Sequence, residues 1–198
     1  MTVRLTRAQL LEFDGALVDD LVDAGVRLLF VGINPGLWTA AVNAHFARRG
    51  NRFWPALHRA GIVPRAVDAS GGMRPADREM VLAAGIGITN LVARASARAD
   101  ELTTAELRAG AVNLTATVQR LRPRVVAMLG LTAYRAAFDQ RAAVPGPQPD
   151  PLAGASLWVL PNPSGLNAHE SLDSLAVAYR QVAVAAGIRV GPMLAGAS

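Results

Sequence analysis

Two short asparagine–proline segments, at residues 34–37 and 162–166, carry the residue types in this sequence that are best suited to chemistry. Each follows an apolar run, so each asparagine stands just after a predicted strand. Proline fixes φ and has no N–H to donate, whereas glycine lets the backbone approach a ligand closely. The asparagine side chain offers a neutral donor and a neutral acceptor, so it can orient a water molecule or bind a base edge. It cannot act as a strong general base.

The predicted fold brings these two segments to one edge of a sheet. Amphipathic helical patterns alternate with near-continuous apolar runs, and such runs are typical of strands buried on both faces. This alternation predicts an α/β fold, a three-layer α/β/α domain with a central, mainly parallel four-stranded sheet. Ligands bind beyond the carboxyl ends of the strands in such sheets, so both segments should meet there. The predicted strands are residues 26–33, 86–92, 124–130 and 156–160, and the predicted helices are 8–24, 51–60, 75–84, 103–120, 131–138 and 171–186.

Asparagine–proline and proline–glycine pairs are also common turn signals, and either segment alone is explained by a strand that ends there. Their occurrence after both the first and the last predicted strand favours a shared function instead.

Domain organisation is predicted to be simple. We expect one domain over residues 1–198, with a helical N-terminal extension at 1–25 and a flexible tail at 190–198. Residues 145–154, rich in proline, glycine and aspartate, are predicted to form a surface loop. The sequence shows neither a secretory signal nor an apolar run of membrane-spanning length, so we expect a cytoplasmic monomer that makes no membrane contact.

Composition excludes several classes of chemistry. The sequence contains no cysteine, which rules out disulfides, thiolate metal sites and a cysteine nucleophile. All 20 Lys+Arg positions are arginine, and arginine stays protonated, so no lysine Schiff base can form. Three scattered histidines without cysteine predict no metal site, and no cofactor is expected. The formal net charge of +5 favours a polyanionic partner.

Four segments of the chain resemble motifs of the mismatch-specific uracil- and thymine-DNA glycosylases, and the second follows the first at a spacing that matches the family. The likeness runs from about residue 27 to about residue 187 and implies a uracil-DNA glycosylase-like fold. The segments are Gly32-Ile33-Asn34-Pro35-Gly36-Leu37, Asn51-Arg52-Phe53-Trp54, Gly87-Ile88-Thr89-Asn90-Leu91-Val92 and Asn162-Pro163-Ser164-Gly165-Leu166.

The resemblance implies a monofunctional DNA glycosylase that hydrolyses the N-glycosidic bond of uracil mispaired with guanine, with thymine or ethenocytosine as further substrates. Its partner would be double-stranded DNA that contains G:U or G:T mispairs. A base inside a duplex cannot be reached, so it must be flipped out, and a wobble mispair is cheaper to open. Asn34 would hold the attacking water. A carboxylate is the stronger catalyst at that position, so an asparagine implies a slow enzyme.

The resemblance also implies a role for each matching residue. Backbone around Ile33 and Gly36 would bind the base edge and the leaving uracil anion, and Phe46 would stack on the flipped base. Leu166 would fill the space left in the duplex. The implied base pocket is Gly32, Ile33, Pro35, Gly36, Thr39, His45, Phe46 and Asn162, and the implied wedge and orphan-base contacts are Pro163, Ser164, Gly165, Leu166 and Asn167. The second motif continues Asn167-Ala168-His169, where better-known members have Ser-Arg.

Arginines near the motifs predict phosphate contacts, since phosphates position a protein on DNA. A solvated turn is the structural alternative for the cluster beside Phe53 and Trp54, so we expect both aromatic side chains in the core and at least one arginine on DNA. His45 either takes part in catalysis or forms a rim or phosphate contact. The predicted phosphate contacts are Arg48, Arg49, Arg52, Asn90 and Arg94, and Arg98 has a similar location.

Two other functions remain open from the residues alone. A non-catalytic α/β module could bind a nucleotide or nucleic acid through the same two segments. A dinucleotide-dependent enzyme is disfavoured, because Gly32 and Gly36 do not fit the Gly-x-Gly-x-x-Gly spacing and a chain without lysine cannot have a Walker motif.

Overall fold

The computed structural model describes residues 5–165 and 170–194. Five strands form one central sheet: β1 Leu28–Gly32, β2 Ile86–Asn90, β3 Val125–Leu129, β4 Gly146–Pro147 and β5 Ser156–Leu160. Their order across the sheet is β2-β1-β3-β5-β4. The first four strands in this order are parallel, and β4 runs antiparallel to β5 at one edge. The predicted loop at 145–154 therefore contains a short fifth strand that the sequence pattern missed.

Helices cover both faces of this sheet and confirm the predicted three-layer architecture. Phe30 of β1 packs against Phe53 and Tyr179 on one face, with ring centroids 5.2 and 5.1 Å apart. Val31 points to the other face, where it shares a core with Leu114. The helices are α1 Arg7–Leu11, α2 Leu37–Ala41, α3 Phe53–Arg59, α4 Pro75–Ala83, α5 Thr104–Leu121, α6 Leu131–Phe138 and α7 Leu172–Ala185.

Strand register aligns the carboxyl ends of the parallel strands. Gly32 pairs with Asn90 across β1 and β2, and Leu129 pairs with Leu160 across β3 and β5. Asn34 and Asn162 each come two residues after a strand end, and only β3 separates those two strands. Two strand spacings correspond to about 10 Å, so the sheet itself brings both asparagines to one place.

The N-terminal region differs from the prediction of a helix over residues 8–24. The helix α1 ends at Leu11, and Gly15 has a positive φ of 78°, which a continuing helix does not allow. The chain then runs extended along β2, where Leu21 and Ile88 exchange backbone hydrogen bonds of 2.9 and 2.8 Å. Leu21 is buried, so pairing with a sheet edge outweighs local helix propensity here.

The predicted flexible tail is also partly ordered. Gly191 N–H donates to the Gly61 carbonyl at 2.8 Å, and Leu194 N–H donates to the Arg59 carbonyl at 3.0 Å. The Arg180 guanidinium donates to the Gly191 carbonyl as well. Residues 190–194 thus pack against the end of α3, while residues 195–198 lie outside the described part of the chain. Within residues 5–165 and 170–194, no helix has the length and apolarity needed to span a bilayer.

The predicted capping box at the start of α5 is confirmed. Thr103 Oγ1 accepts from the Glu106 N–H at 3.2 Å, and Glu106 Oε2 accepts from the Thr103 N–H at 2.8 Å. Glu106 also accepts from Arg94 Nε at 2.5 Å. The hydrogen bond from Arg94, followed by those from Thr103, lowers the pKa of Glu106 to about 2.

The Glu106 carboxylate makes part of the protein's stability depend on pH. Because the folded pKa is depressed, the stabilisation is fully present above the ordinary value of 4.5 and is lost as the pH falls towards about 2. As the pH falls across that interval, we expect the melting temperature of a Glu106→Gln variant to drop less than that of the parent chain. Circular dichroism measures both. Equal acid losses in the two proteins would contradict this prediction.

Candidate active site

A cleft of about 410 Å³ opens at the carboxyl ends of the parallel strands. Asn34 and Asn162 both line it, so the two asparagine–proline segments meet, as their positions after β1 and β5 require. Predicted pocket residues and residues from the loop after β2 share its walls. The lining comprises Gly32, Ile33, Asn34, Pro35, Gly36, Thr39, His45, Phe46, Arg48, Asn51, Asn90, Ser96, Ala97, Arg98, Ala99, Asp100, Leu129, Asn162 and Ser164.

The Asn34 amide is held in one orientation. Its Nδ2 donates to Ser96 Oγ at 2.8 Å, to the Pro35 carbonyl at 3.1 Å and to the Arg94 carbonyl at 3.3 Å. Ser96 is 1% exposed and donates in turn to the Arg98 carbonyl at 2.7 Å. All these partners engage the NH2 group, so Oδ1 is the atom that remains as an acceptor for a ligand. An oriented neutral acceptor of this kind can hold a water molecule.

Phe46 forms an aromatic wall of the cleft. Its backbone has a positive φ of 55°, and its ring stacks on Phe53 with centroids 4.0 Å apart and an interplanar angle of 24°. Trp54 Nε1 donates to the carbonyl of His45 at 2.9 Å, which fixes the backbone just before Phe46. Phe53 and Trp54 are buried, so their predicted place in the core is confirmed. The core thereby holds a flat apolar surface at the cleft.

His45 and Asn90 lie together in the cleft. His45 is 4% exposed, and its Nε2 is 3.0 Å from the Asp19 carbonyl, which can only accept, so Nε2 carries the proton. Nδ1 then has a lone pair facing Asn90 Nδ2 at 3.4 Å. Burial is the main cause that lowers the pKa of His45 to about 4, so the ring is neutral near pH 7.

The second asparagine–proline segment is tied to the chain just before α3. Asn162 Oδ1 accepts from the Ser164 N–H at 3.0 Å, and the Pro163 carbonyl accepts from the Arg52 N–H at 3.0 Å. The Arg52 guanidinium donates to the Ser164 carbonyl at 2.7 Å and to the Glu170 carbonyl. Arg52 therefore holds both ends of the stretch that contains the predicted wedge. Leu166, Asn167 and His169 lie outside the described residues.

Comparison with known proteins identifies the family of this chain. A model of the uracil DNA glycosylase superfamily matches residues 20–183. The chain belongs to the uracil DNA glycosylase superfamily. Its fold is also similar to the solution NMR structure of a Methanosarcina acetivorans protein that is provisionally described as a uracil DNA glycosylase. That match has a TM-score of 0.59 and 15% sequence identity, and covers 85% of this chain and 98% of the other.

The residues predicted to contact phosphate occupy three different settings in this superfamily member. Arg48 and Arg49 are exposed beside the cleft and remain available to DNA. Arg94 pairs with Glu106, and the Arg52 guanidinium binds backbone carbonyls. Asn90 lines the cleft, where its amide faces His45.

Sequence reasoning missed other lining residues of this glycosylase-superfamily cleft. Asn51 was visible as the first residue of the Asn-x-Phe-Trp motif, and its Oδ1 accepts from the Phe53 N–H at 2.9 Å. Ser96 and Asp100 had no comparable signal, and Arg98 was considered only as a phosphate contact. Their placement depends on the Ser96 N–H, which donates to the Pro35 carbonyl at 3.1 Å and draws the loop after β2 over the first motif.

Replacement of Arg52 tests whether the residue stabilises this superfamily member through the paired hydrogen bonds of its guanidinium or through its charge. Arg52→Lys keeps the charge but cannot donate to two carbonyls in the same geometry. We expect it to lower stability by about 2 kcal/mol and to increase proteolysis of the second segment. Arg141, at 93% side-chain exposure, provides the matched control Arg141→Lys. A lysine variant as stable as the parent would show that Arg52 acts through charge alone.

Proposed function

We propose that the protein is a monofunctional DNA glycosylase of the mismatch-specific type, which hydrolyses the N-glycosidic bond of uracil mispaired with guanine. Thymine and ethenocytosine opposite guanine are the further substrates to be tested. The observation that carries the proposal is the Asn34 amide, whose fixed NH2 group leaves Oδ1 as an acceptor in a cleft with an aromatic wall. Membership of the superfamily supports DNA as the substrate.

The cleft suits a nucleobase that has left the helix. A base must be flipped out of the duplex before its glycosidic bond can be reached, at a cost of a few kcal/mol. Stacking on an aromatic ring offsets about 1–3 kcal/mol of such a cost. In our proposal Phe46 provides that ring, and the Asn90 amide reads the base edge from the floor of the cleft. Exposed Arg48 and Arg49 hold the neighbouring phosphates.

Hydrolysis then needs only a positioned water and a stabilised leaving group. The C1′–N1 bond breaks as its electron pair leaves with uracil, and backbone of the segment 33–36 stabilises the resulting anion. A water held by Asn34 Oδ1 adds through its oxygen to C1′ and gives up its proton to solvent or to the departing base. The chain has no lysine, so no lysine Schiff base forms with the sugar, and we expect the product to remain an abasic site.

The direct test is a labelled duplex with one G·U pair, incubated with the purified protein. We expect free uracil, with strand breaks that appear only after alkali treatment, and no release from a matched G·C duplex. A panel with thymine and ethenocytosine opposite guanine ranks the substrates. Tight duplex binding without base release would replace this proposal with a non-catalytic binding module. Strand cleavage before alkali would contradict the monofunctional mechanism.

A further inference from the structure

A chain of polar contacts runs from the extended N-terminal segment into the floor of the cleft. The Asp19 carbonyl accepts from His45 Nε2 at 3.0 Å, and His45 Nδ1 faces Asn90 Nδ2 at 3.4 Å. A carbonyl accepts only, so the first contact assigns the proton to Nε2 and the lone pair to Nδ1. That lone pair can accept from the NH2 group of Asn90 but not from its oxygen.

The other branch of the Asn90 amide faces Gly32. A Cβ built on Gly32 would stand 2.5 Å from Asn90 Oδ1 and 3.4 Å from Phe46 Cζ. The oxygen therefore occupies the space over the glycine, next to the aromatic wall of the cleft. If the amide were turned by 180°, Oδ1 would face the lone pair of His45 Nδ1, and two acceptors would be opposed.

We propose that His45 is a positioning residue for Asn90. The Nδ1 atom of His45 fixes the Asn90 amide with Oδ1 towards the bound base, so that the cleft favours the N3–H edge of uracil over the edge of cytosine. This inference rests on the proposed glycosylase function. The burial of His45 supports it, because the ring is buried among protein groups and its neutral form is the one that offers a lone pair.

The consequence is discrimination between uracil and cytosine. Uracil presents N3–H and O4, which match an amide that offers Oδ1 and the second hydrogen of Nδ2. Cytosine presents an acceptor at N3 and an NH2 group at C4, which match only the reversed amide. An asparagine that is free to turn would satisfy both bases. Selectivity against cytosine, the normal base of the G·C pair, therefore needs a neighbouring group such as His45 to fix the orientation of the amide.

The contact can be tested without any activity. In histidine labelled with ¹⁵N, we expect His45 to be protonated at Nε2 and unprotonated at Nδ1 near pH 7, with a His45→Gln spectrum assigning the signals. Asn90→Ala should shift the Nδ1 resonance. A proton on Nδ1, or an Nδ1 signal that Asn90→Ala leaves unmoved, would overturn the inference.

Kinetics then test its effect on the base. His45→Gln keeps a donor that can reach the Asp19 carbonyl but has no lone pair at the Nδ1 position, whereas His45→Asn places an oxygen there. We expect His45→Gln to lower kcat/KM for uracil about tenfold, His45→Asn to restore part of it, and melting temperatures to stay close to the parent value.

A double-mutant cycle separates a positioning role from an independent one. If His45 acts through Asn90, His45→Gln should add nothing to the loss caused by Asn90→Ala. Additive losses would overturn the inference. If the protein releases no uracil at all, the proposed function fails, while the ¹⁵N result still decides whether His45 holds Asn90.

Discussion

An Asn34→Ala variant should bind a G·U duplex as tightly as the parent protein, but its rate of uracil release should be lower by a factor of about 100 or more. The reason is the loss of the oriented acceptor that we propose for the attacking water, since misplacement of a reacting group by about 1 Å costs a factor of this size. Single-turnover release and fluorescence anisotropy measure the two effects separately. Release at the parent rate would remove Asn34 from the mechanism.

Two companion variants examine the surroundings of Asn34. Ser96→Ala removes the acceptor at 2.8 Å but leaves the Pro35 and Arg94 carbonyls, so we expect an intermediate loss of release. Asn34→Asp would place a carboxylate oxygen beside those carbonyls, where the parent chain has a donor. We therefore expect aspartate to lower the melting temperature and to give no faster release, although a carboxylate is the stronger base in isolation. A faster, equally stable Asn34→Asp protein would contradict this reasoning.

A Gly32→Ala variant should fold and yet release uracil at least about tenfold more slowly. The added Cβ would stand 2.5 Å from Asn90 Oδ1, so the amide must move away from the position in which we propose that it reads the base edge. The displaced atom is the end of a side chain rather than backbone, which explains why the fold should survive. Melting temperature and single-turnover release on a G·U duplex distinguish the two effects.

Gly71→Ala is the matched control for this substitution. A Cβ on Gly71 meets nothing within 4 Å, and its backbone does not have a positive φ. We expect it to match the parent protein in stability and in release. Normal release by Gly32→Ala would show that the position of Asn90 is unimportant for the reaction.

The architecture was largely predictable because the four five-residue strands are mostly apolar and mostly buried. Runs such as Val125–Leu129 and Ser156–Leu160 gave their bounds to within a residue or two. β4, with only two residues, carries no periodicity that a sequence pattern can detect. The stretch that ends in Leu21 was mistaken for helix, because pairing with the edge of β2 is a long-range effect absent from local sequence.

The site was predictable where a residue directly follows a strand end. Asn34 and Asn162 meet because parallel strands put their carboxyl ends on one edge. Asn90 was assigned to phosphate because nothing in its own segment shows the neutral histidine beside it. Ser96 was missed because its contact with Asn34 spans 62 residues and depends on how the loop after β2 folds back.

The extended stretch at Leu21 has a consequence for the protein's behaviour at high concentration. It occupies the outer border of β2, while the opposite border ends in a two-residue strand that contains Pro147, which has no N–H to offer. Among residues 5–165 and 170–194, neither border presents a long row of free backbone groups on which a neighbouring molecule could add a strand. This arrangement hinders strand pairing between the sheet edges of neighbouring molecules, a route by which many proteins aggregate.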